Sequence, residues 1–176
     1  MDGKSFGKME AITYNNAIIL TRGKYVVKIL VSSCLLGLNC RYSGDSCFSL
    51  SVAGLAQNHT LIPVCPEQMG GLTTPREPAQ IIDGNGVDIW NGRATVINAS
   101  GKDVTPEFIR GARKALNFIK QYKVTEIVLK ERSPSCAVHF IYRGNSIVNG
   151  MGVTCALFLH EGFKVLSDED INNIHV

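Results

Sequence analysis

The chain has one tryptophan, aromatic residues at only 7% and charged residues at only 19%. No apolar run approaches the ~18 residues that cross a bilayer; the piece Ile29 to Val31 is the size of a strand. Neither sign of charge is in excess: 18 Lys and Arg face 15 Asp and Glu, a net +3. That balance is too mild to argue for duplex nucleic acid, which needs a concentrated basic face, and it is compatible with a small anionic ligand. Residues 1 to 24 lack a signal peptide's apolar centre. Ala17 to Leu20 falls short of the roughly 7–15 residues required, and no small-residue cleavage site follows. The expected location is therefore the cytoplasm. There is no internal repeat, no low-complexity tract and no C-x-x-C pair, and His59, His139, His160 and His175 share no spacing that suggests a metal site.

What is present is one domain's worth of chain: 176 residues, 45% of them hydrophobic. Six cysteines stand out. Cytosolic thiols stay reduced, so a disulfide framework is disfavoured against metal or redox chemistry. The plain alternative is that a free cysteine is a small buried hydrophobe.

Residues 1–24 are polar and patternless and read as a flexible N-terminal extension; residues 25–176 read as a single domain. Tyr25 to Ser32 is β-branched and nearly continuous in apolar character, as a strand buried on both faces is. Cys47 to Gln57 reads as a short helix and Thr60 to Val64 as a strand, with Pro63 placing it near an edge. Residues 66–86, rich in Pro and Gly, read as a long loop. Val87 to Trp90 and Arg93 to Ile97 flank Asn91-Gly92, a hairpin signal. Thr105 suits an N-cap and Pro106 a first turn, and Phe108, Ala112, Ala115, Leu116 and Ile119 recur at helical spacing. Thr125 to Leu129 reads as a buried strand, Phe140 to Tyr142 as a short extended piece, Val153 to His160 as a helix and Phe163 to Leu166 as the last strand. Strands alternating with helices predict an α/β fold: a three-layer, Rossmann-like, mostly parallel sheet with an inserted β-hairpin.

Cys34 follows the first strand of this domain within two residues, Cys65 immediately follows the second, and Cys136 lies seven residues after Leu129. All carboxyl ends of a parallel sheet lie on one side, where ligands bind. Three cysteines distant in sequence therefore converge on one rim. Three thiolates suit a zinc ion with an open position, an iron–sulfur cluster, or a redox pair with a bystander. Spacing alone leaves these open.

Five stretches carry a resemblance: Val31-Ser32-Ser33-Cys34-Leu35-Leu36-Gly37, Cys40-Arg41-Tyr42-Ser43-Gly44, Pro63-Val64-Cys65-Pro66-Glu67, Gly70-Gly71-Leu72-Thr73-Thr74-Pro75-Arg76 and Leu129-Lys130-Glu131-Arg132-Ser133-Pro134-Ser135-Cys136. Together with Gly152-Val153-Thr154, they make residues 28 to 168 resemble the thiouracil desulfidase family. The resemblance implies a [4Fe-4S] cluster held by Cys34, Cys65 and Cys136, and removal of sulfur from a thiolated pyrimidine base or nucleoside with release of sulfide. It implies that a free iron takes the sulfur and that water supplies the replacing oxygen. Ala137 stands where the family usually has Gly, Gln80 where an acidic residue is common, and Cys47 and Cys155 match no motif. Rival expectations are a non-catalytic iron–sulfur or zinc binding protein and a metal-free thiol-redox protein.

Other residues are candidates by position. Glu67, two residues past Cys65, suits a proton relay, or a loop carboxylate paired with Arg76. Ser133 and Ser135 flank Pro134 and suit water positioning or hydrogen bonds to cluster sulfur, or loop capping. Arg41, Arg76 and Arg132 are loop arginines suited to substrate binding, or to a surface. Cys40 reads as a spare thiol near Cys34, and Trp90 and Phe48 as core.

Overall fold

The computed structural model describes residues 10–14, 17–21 and 26–171. In chain order its elements are β1 (Glu10–Tyr14), β2 (Ala17–Thr21), β3 (Lys28–Ser32), α1 (Leu50–Gly54), β4 (Thr60–Val64), α2 (Pro66–Met69), β5 (Ala79–Ile82), α3 (Gly86–Trp90), β6 (Thr95–Asn98), α4 (Thr105–Tyr122), β7 (Glu126–Leu129), β8 (Phe140–Arg143), β9 (Ser146–Asn149), α5 (Val153–His160) and β10 (Val165–Ser167). Four strands in the order β10-β7-β3-β4 form the central sheet, all pairs parallel. Alternating side chains feed two cores, as a strand covered on both faces must. Leu30, Ile62, Ile127 and Leu129 pack with Ala115, Leu116 and Ile119 of α4 and Phe158 of α5. Ile29, Val31, Leu61 and Val128 pack with Leu35, Val52 and Ile171 on the opposite face. The result is the three-layer α/β arrangement expected. Pro63, which cannot donate to a ladder, sits on β4 at the end of the four-strand order.

Several elements differ from the sequence expectation. Asn91-Gly92 is not a hairpin turn. Gly86–Trp90 is helical because Asn85 and Asp88 make a reciprocal capping box, and Asn91 ends that helix. The inserted hairpin is instead β5 paired with β6, with α3 between them. The 66–86 loop contains α2 and β5; Pro66 sits in the first turn of α2, where its missing N–H costs nothing. Helix α1 starts at Leu50, not Cys47, because the backbone N–H groups of Cys47 and Ser49 bond Cys34 O and Leu35 O, both at 2.9 Å. These bonds hold residues 47–49 against the turn that follows β3. Thr105 is the first helical residue of α4, not its cap, and its Oγ1 accepts Val96 N–H at 2.7 Å. The piece at Phe140 is one arm of a second antiparallel hairpin, β8–β9. Within residues 1–24, expected to be a flexible extension, β1 and β2 pair antiparallel; Tyr25 lies outside the described residues. Phe48 is 59% exposed and not core, whereas Trp90 packs on the second core cluster and its Nε1 donates to Val153 O at 2.8 Å.

One close approach sets the sheet's active edge. A Cβ on Gly111 of α4 would lie 2.0 Å from Pro66 O, so only glycine lets α4 cross this near to α2 and the segment after Cys65. Among the described residues no helix is long and apolar enough to cross a membrane.

Candidate active site

Strand β3 lies between β4 and β7, so the chain leaves it to opposite sides, and a crevice opens at its carboxyl end. Cys34 sits in the 3-10 turn Ser33–Leu36 after β3, Cys65 directly after β4, and Cys136 in the loop after β7. All three line one cavity of about 600 Å³, within the usual range for a small-molecule site. Cys40 and Cys47 line it too. Cys155 does not; it is fully buried in the first core cluster on α5, where burial pushes its thiol up to about 12.

The thiols form a contact set and an outlier. The Cys40 thiol hydrogen-bonds with both Cys34 and Cys65, which holds those two below the ordinary thiol range and pushes Cys40 well above it. Cys65 Sγ also lies 3.8 Å from Cys40 O. Cys136 stands apart. Burial raises it, opposed by a hydrogen bond with Ser32. Among the described residues no three His, Cys, Asp or Glu side chains converge tightly enough to hold one metal ion. A mononuclear zinc site needs its donors about 2.0–2.3 Å from one point, so soft thiols spread over a cavity wall suit a larger, multi-iron group better. In protein without bound metal, Cys65, half-buried and lowered, is expected to react with iodoacetamide first, and Cys136 and Cys155 last; peptide mass spectrometry of a time course checks the order.

The carboxylate and arginine candidates are mostly paired with each other. Arg76 binds Glu67 through Nη2 at 2.6 Å and Nε at 2.8 Å, both to Oε2, in a pair whose side chains are 8% and 14% exposed. Arg76 Nη1 donates to Cys40 O and Thr73 O, tying the Cys40 segment to the segment after Cys65. Its guanidinium is thus engaged by protein rather than held open. Arg41 pairs with Asp45 at 2.9 Å, and Arg132 with Glu169. Lys130, also on the cavity wall, pairs with Asp168 at 3.2 Å.

The two serines part company. Ser133 lines the cavity, and its Oγ accepts Ser135 N–H and Cys136 N–H, each at 3.1 Å, which fixes the turn presenting Cys136. Ser135 is 1% exposed, bonds Thr154 Oγ1 at 2.9 Å and is not among the cavity-lining residues. It braces the turn from behind and does not reach the site, a correction to its candidacy for orienting water.

Residues the sequence reading passed over hold this turn. Glu131 is 2% exposed, and its Oε1 accepts the backbone N–H groups of Arg132, Val138, His139 and Phe140 at 2.9–3.2 Å. A charged run normally stays solvated. The cue was that a strand end enclosed by the domain leaves a loop of backbone donors needing an acceptor. Glu131→Gln, which replaces an acceptor with an amide donor, is expected to cost about 1–3 kcal/mol in urea unfolding. Gly152 is equally constrained, since a Cβ there would lie 2.3 Å from Ser135 C and 2.7 Å from Cys136 N. Gly152→Ala is expected to displace the Cys136 turn and lower stability by about 1–3 kcal/mol, read by thermal unfolding. Ser32, Ser33, Tyr42, Gln80, Tyr142 and Asn145 also line the wall. Gln80 holds the β8–β9 turn over it by exchanging two hydrogen bonds with Gly144, at 2.7 and 3.2 Å.

Known proteins place the chain. The family model described as 2-thiouracil desulfurase matches residues 29–170. An uncharacterized protein of Bacillus subtilis (strain 168), YbbK, is 44% identical over 149 residues, spanning 83% of this chain and 99% of its own. A solved structure described as the [4Fe-4S]-dependent thiouracil desulfidase TudS is similar at a TM-score of 0.72 and 38% identity, over 84% of this chain and 94% of that one. Matched over most of its length, with the motif cysteines on one cavity wall, the chain belongs to the 2-thiouracil desulfurase family.

Proposed function

We propose that this protein is a [4Fe-4S]-dependent desulfidase that replaces the sulfur of a thiolated pyrimidine base or nucleoside with oxygen from water, releasing sulfide. The observation that carries the reading is the meeting of Cys34, Cys65 and Cys136 on one 600 Å³ cavity beside Glu67 and Ser133. The donor set suits the group, since iron–sulfur clusters take cysteine thiolates and this wall supplies them without a competing imidazole. Cys34, Cys65 and Cys136, one following each of three strands, would hold the cluster, and when bound it would supply a soft Lewis acid able to polarise a thiocarbonyl.

The chain's own residues do the rest. Arg76 occupies Oε2 of Glu67 and so orients the carboxylate. Glu67 takes the proton from the attacking water. Ser133, whose Oγ already accepts two backbone N–H groups, has its O–H left to direct into the cavity and positions that water. Tyr42 and Tyr142, both on the wall and part exposed, flank the planar base, and the half-buried Arg41 and Arg132 lie at its edge. No electrons are transferred: a C–S bond is exchanged for a C–O bond, and the sulfur leaves as hydrosulfide.

The test is turnover of 2- and 4-thiouracil, and of the thiouridines, by anaerobically purified protein in water labelled with heavy oxygen. Expected are visible iron–sulfur absorbance, sulfide release without consumption of a reductant, and label in the product carbonyl. An intact cluster that turns over none of these compounds would move the non-catalytic binding protein ahead. Colourless protein with full zinc content would remove the cluster.

A further inference from the structure

Part of the cavity wall lies outside the parallel sheet, on two antiparallel hairpins. Ala79, Gln80 and Ile81 of β5 line it, and so do Tyr142 of β8 and Gly144 and Asn145 in the turn that follows. The two hairpins share no ladder, since β5 pairs with β6 and β8 with β9. At its base the β8–β9 hairpin is well anchored. Ile141 is 1% exposed and packs in the same core cluster as Ile81, and Phe140 N–H reaches Glu131 Oε1 at 2.9 Å. Beyond Ile141, every residue up to Ile147 is exposed. Such a tip has no packing to hold it, and a two-stranded hairpin alone is marginal in water. Two side-chain links fix it instead. Arg143 Nη2 donates to Gly84 O at 2.9 Å. Gln80, half-buried on β5, takes both main-chain groups of Gly144: its Oε1 accepts the N–H at 2.7 Å and its Nε2 donates to the carbonyl at 3.2 Å. Gly144 is the first central residue of a two-residue turn between the paired Arg143 and Ser146, so the hairpin's own ladder leaves both of those groups unused.

We propose that Gln80 is a positioning residue for substrate binding: its carboxamide clasps the Gly144-Asn145 turn and so sets Tyr142 and Asn145 as one side of the seat for the thiolated pyrimidine. The inference rests on the desulfidase reading given above. A carboxamide carries one donor edge and one acceptor edge in a single plane, which lets it serve Gly144 as a neighbouring strand would. An ionised carboxylate accepts the N–H but has no proton for the carbonyl, and an aliphatic chain serves neither. With the clasp undone, the turn is held only through Arg143 and the base of β8, and the clasped arrangement becomes one of several. A substrate that needs Tyr142 in place then binds more weakly by the fraction of protein still clasped. The reacting groups, Glu67 and Ser133, stand on other segments and keep their geometry, so the loss falls on KM rather than on kcat.

The test compares Gln80→Glu, which keeps the acceptor only, and Gln80→Met, which keeps the length and neither bond, with the parent full-length protein, all reconstituted anaerobically. Iron content, KM and kcat for 4-thiouracil, and hydrogen–deuterium exchange across residues 140–149 are measured. Expected in Gln80→Met are full iron, faster exchange at the turn and a KM raised roughly tenfold with kcat kept, the scale of two lost neutral hydrogen bonds. Gln80→Glu is expected to fall between Gln80→Met and the parent in both exchange and KM. Placed on Tyr142→Ala, Gln80→Met is expected to add less to KM than it does alone, because the turn then has no ring to place. An unmoved KM in fully loaded Gln80→Met, or a fall in kcat with KM unmoved, overturns the inference and leaves the desulfidase reading standing. Unchanged exchange at the turn, or full additivity with Tyr142→Ala, overturns it as well. A fully loaded parent that turns over no thiolated base defeats the desulfidase reading itself, and this inference with it, whatever the exchange shows.

Discussion

Replacing Cys34, Cys65 or Cys136 singly with serine is expected to abolish stable iron binding, while Cys155→Ala keeps the full iron content of the parent. The contrast follows from where the thiols stand. Each of the first three ends a different strand of one parallel sheet and faces the same cavity. Loss of any one removes a corner that no neighbouring strand end can replace. Serine offers a hard hydroxyl, largely protonated at neutral pH, in place of a soft thiolate, and iron in a cluster prefers the latter. Cys155 is fully buried but lies on the α4–α5 side of the sheet, in the core cluster with Phe158 and Leu129. Its loss removes core volume, not a donor. Cys47→Ser is likewise expected to retain iron, since Cys47 matches no motif although it lines the cavity. Iron and acid-labile sulfide assays on the five variants decide the matter. Equal iron loss in Cys155→Ala and Cys65→Ser would sink the three-ligand assignment.

Glu67→Gln is expected to keep the cluster and slow desulfidation by roughly 10²–10⁴, the usual weight of general acid–base help. The amide preserves shape but takes no proton. It also removes the charge facing a buried arginine, and breaking such a pair by losing one partner costs about 3–5 kcal/mol. The variant is therefore expected to melt earlier as well, and its kinetics are to be read well below its unfolding temperature. Ser133→Ala separates the two effects. Ser133 carries no charge and accepts two backbone N–H groups of the Cys136 turn. Its variant is expected to lose activity and some iron occupancy with only a modest fall in melting temperature. Full activity in a fully loaded Glu67→Gln protein would move the base elsewhere on the rim.

Much of this molecule was legible before any coordinates. Tyr25 to Ser32 and Thr125 to Leu129 read as doubly buried strands because apolar continuity is what a parallel sheet demands. The helix Val153–His160 is legible because Gly152 precedes it and Gly162, with positive φ, follows its last turn. The Asn91-Gly92 signal failed because it was read locally. Asn85 and Asp88 cap a helix just upstream, and the hairpin partner of β6 lies beyond that helix at β5. The β8–β9 hairpin was half seen, since Ser146–Asn149 alternates weakly and faces largely outward.

By itself, the sequence determined that the fold is α/β and that three cysteines follow parallel strands. Periodicity and chain direction are local properties, and a parallel sheet puts every carboxyl end on one side. Only the tertiary structure decided which polar groups act and which merely hold. Ser135, a site candidate in the chain, is buried against Thr154 behind the Cys136 turn, and Glu131, no candidate there, accepts the backbone N–H groups of that turn. Arg76 looks like an anion binder and is engaged by Glu67 and two carbonyls. The reason is that a hydrogen bond depends on direction and on what other partners a group has already taken, and neither quantity is written in residue order.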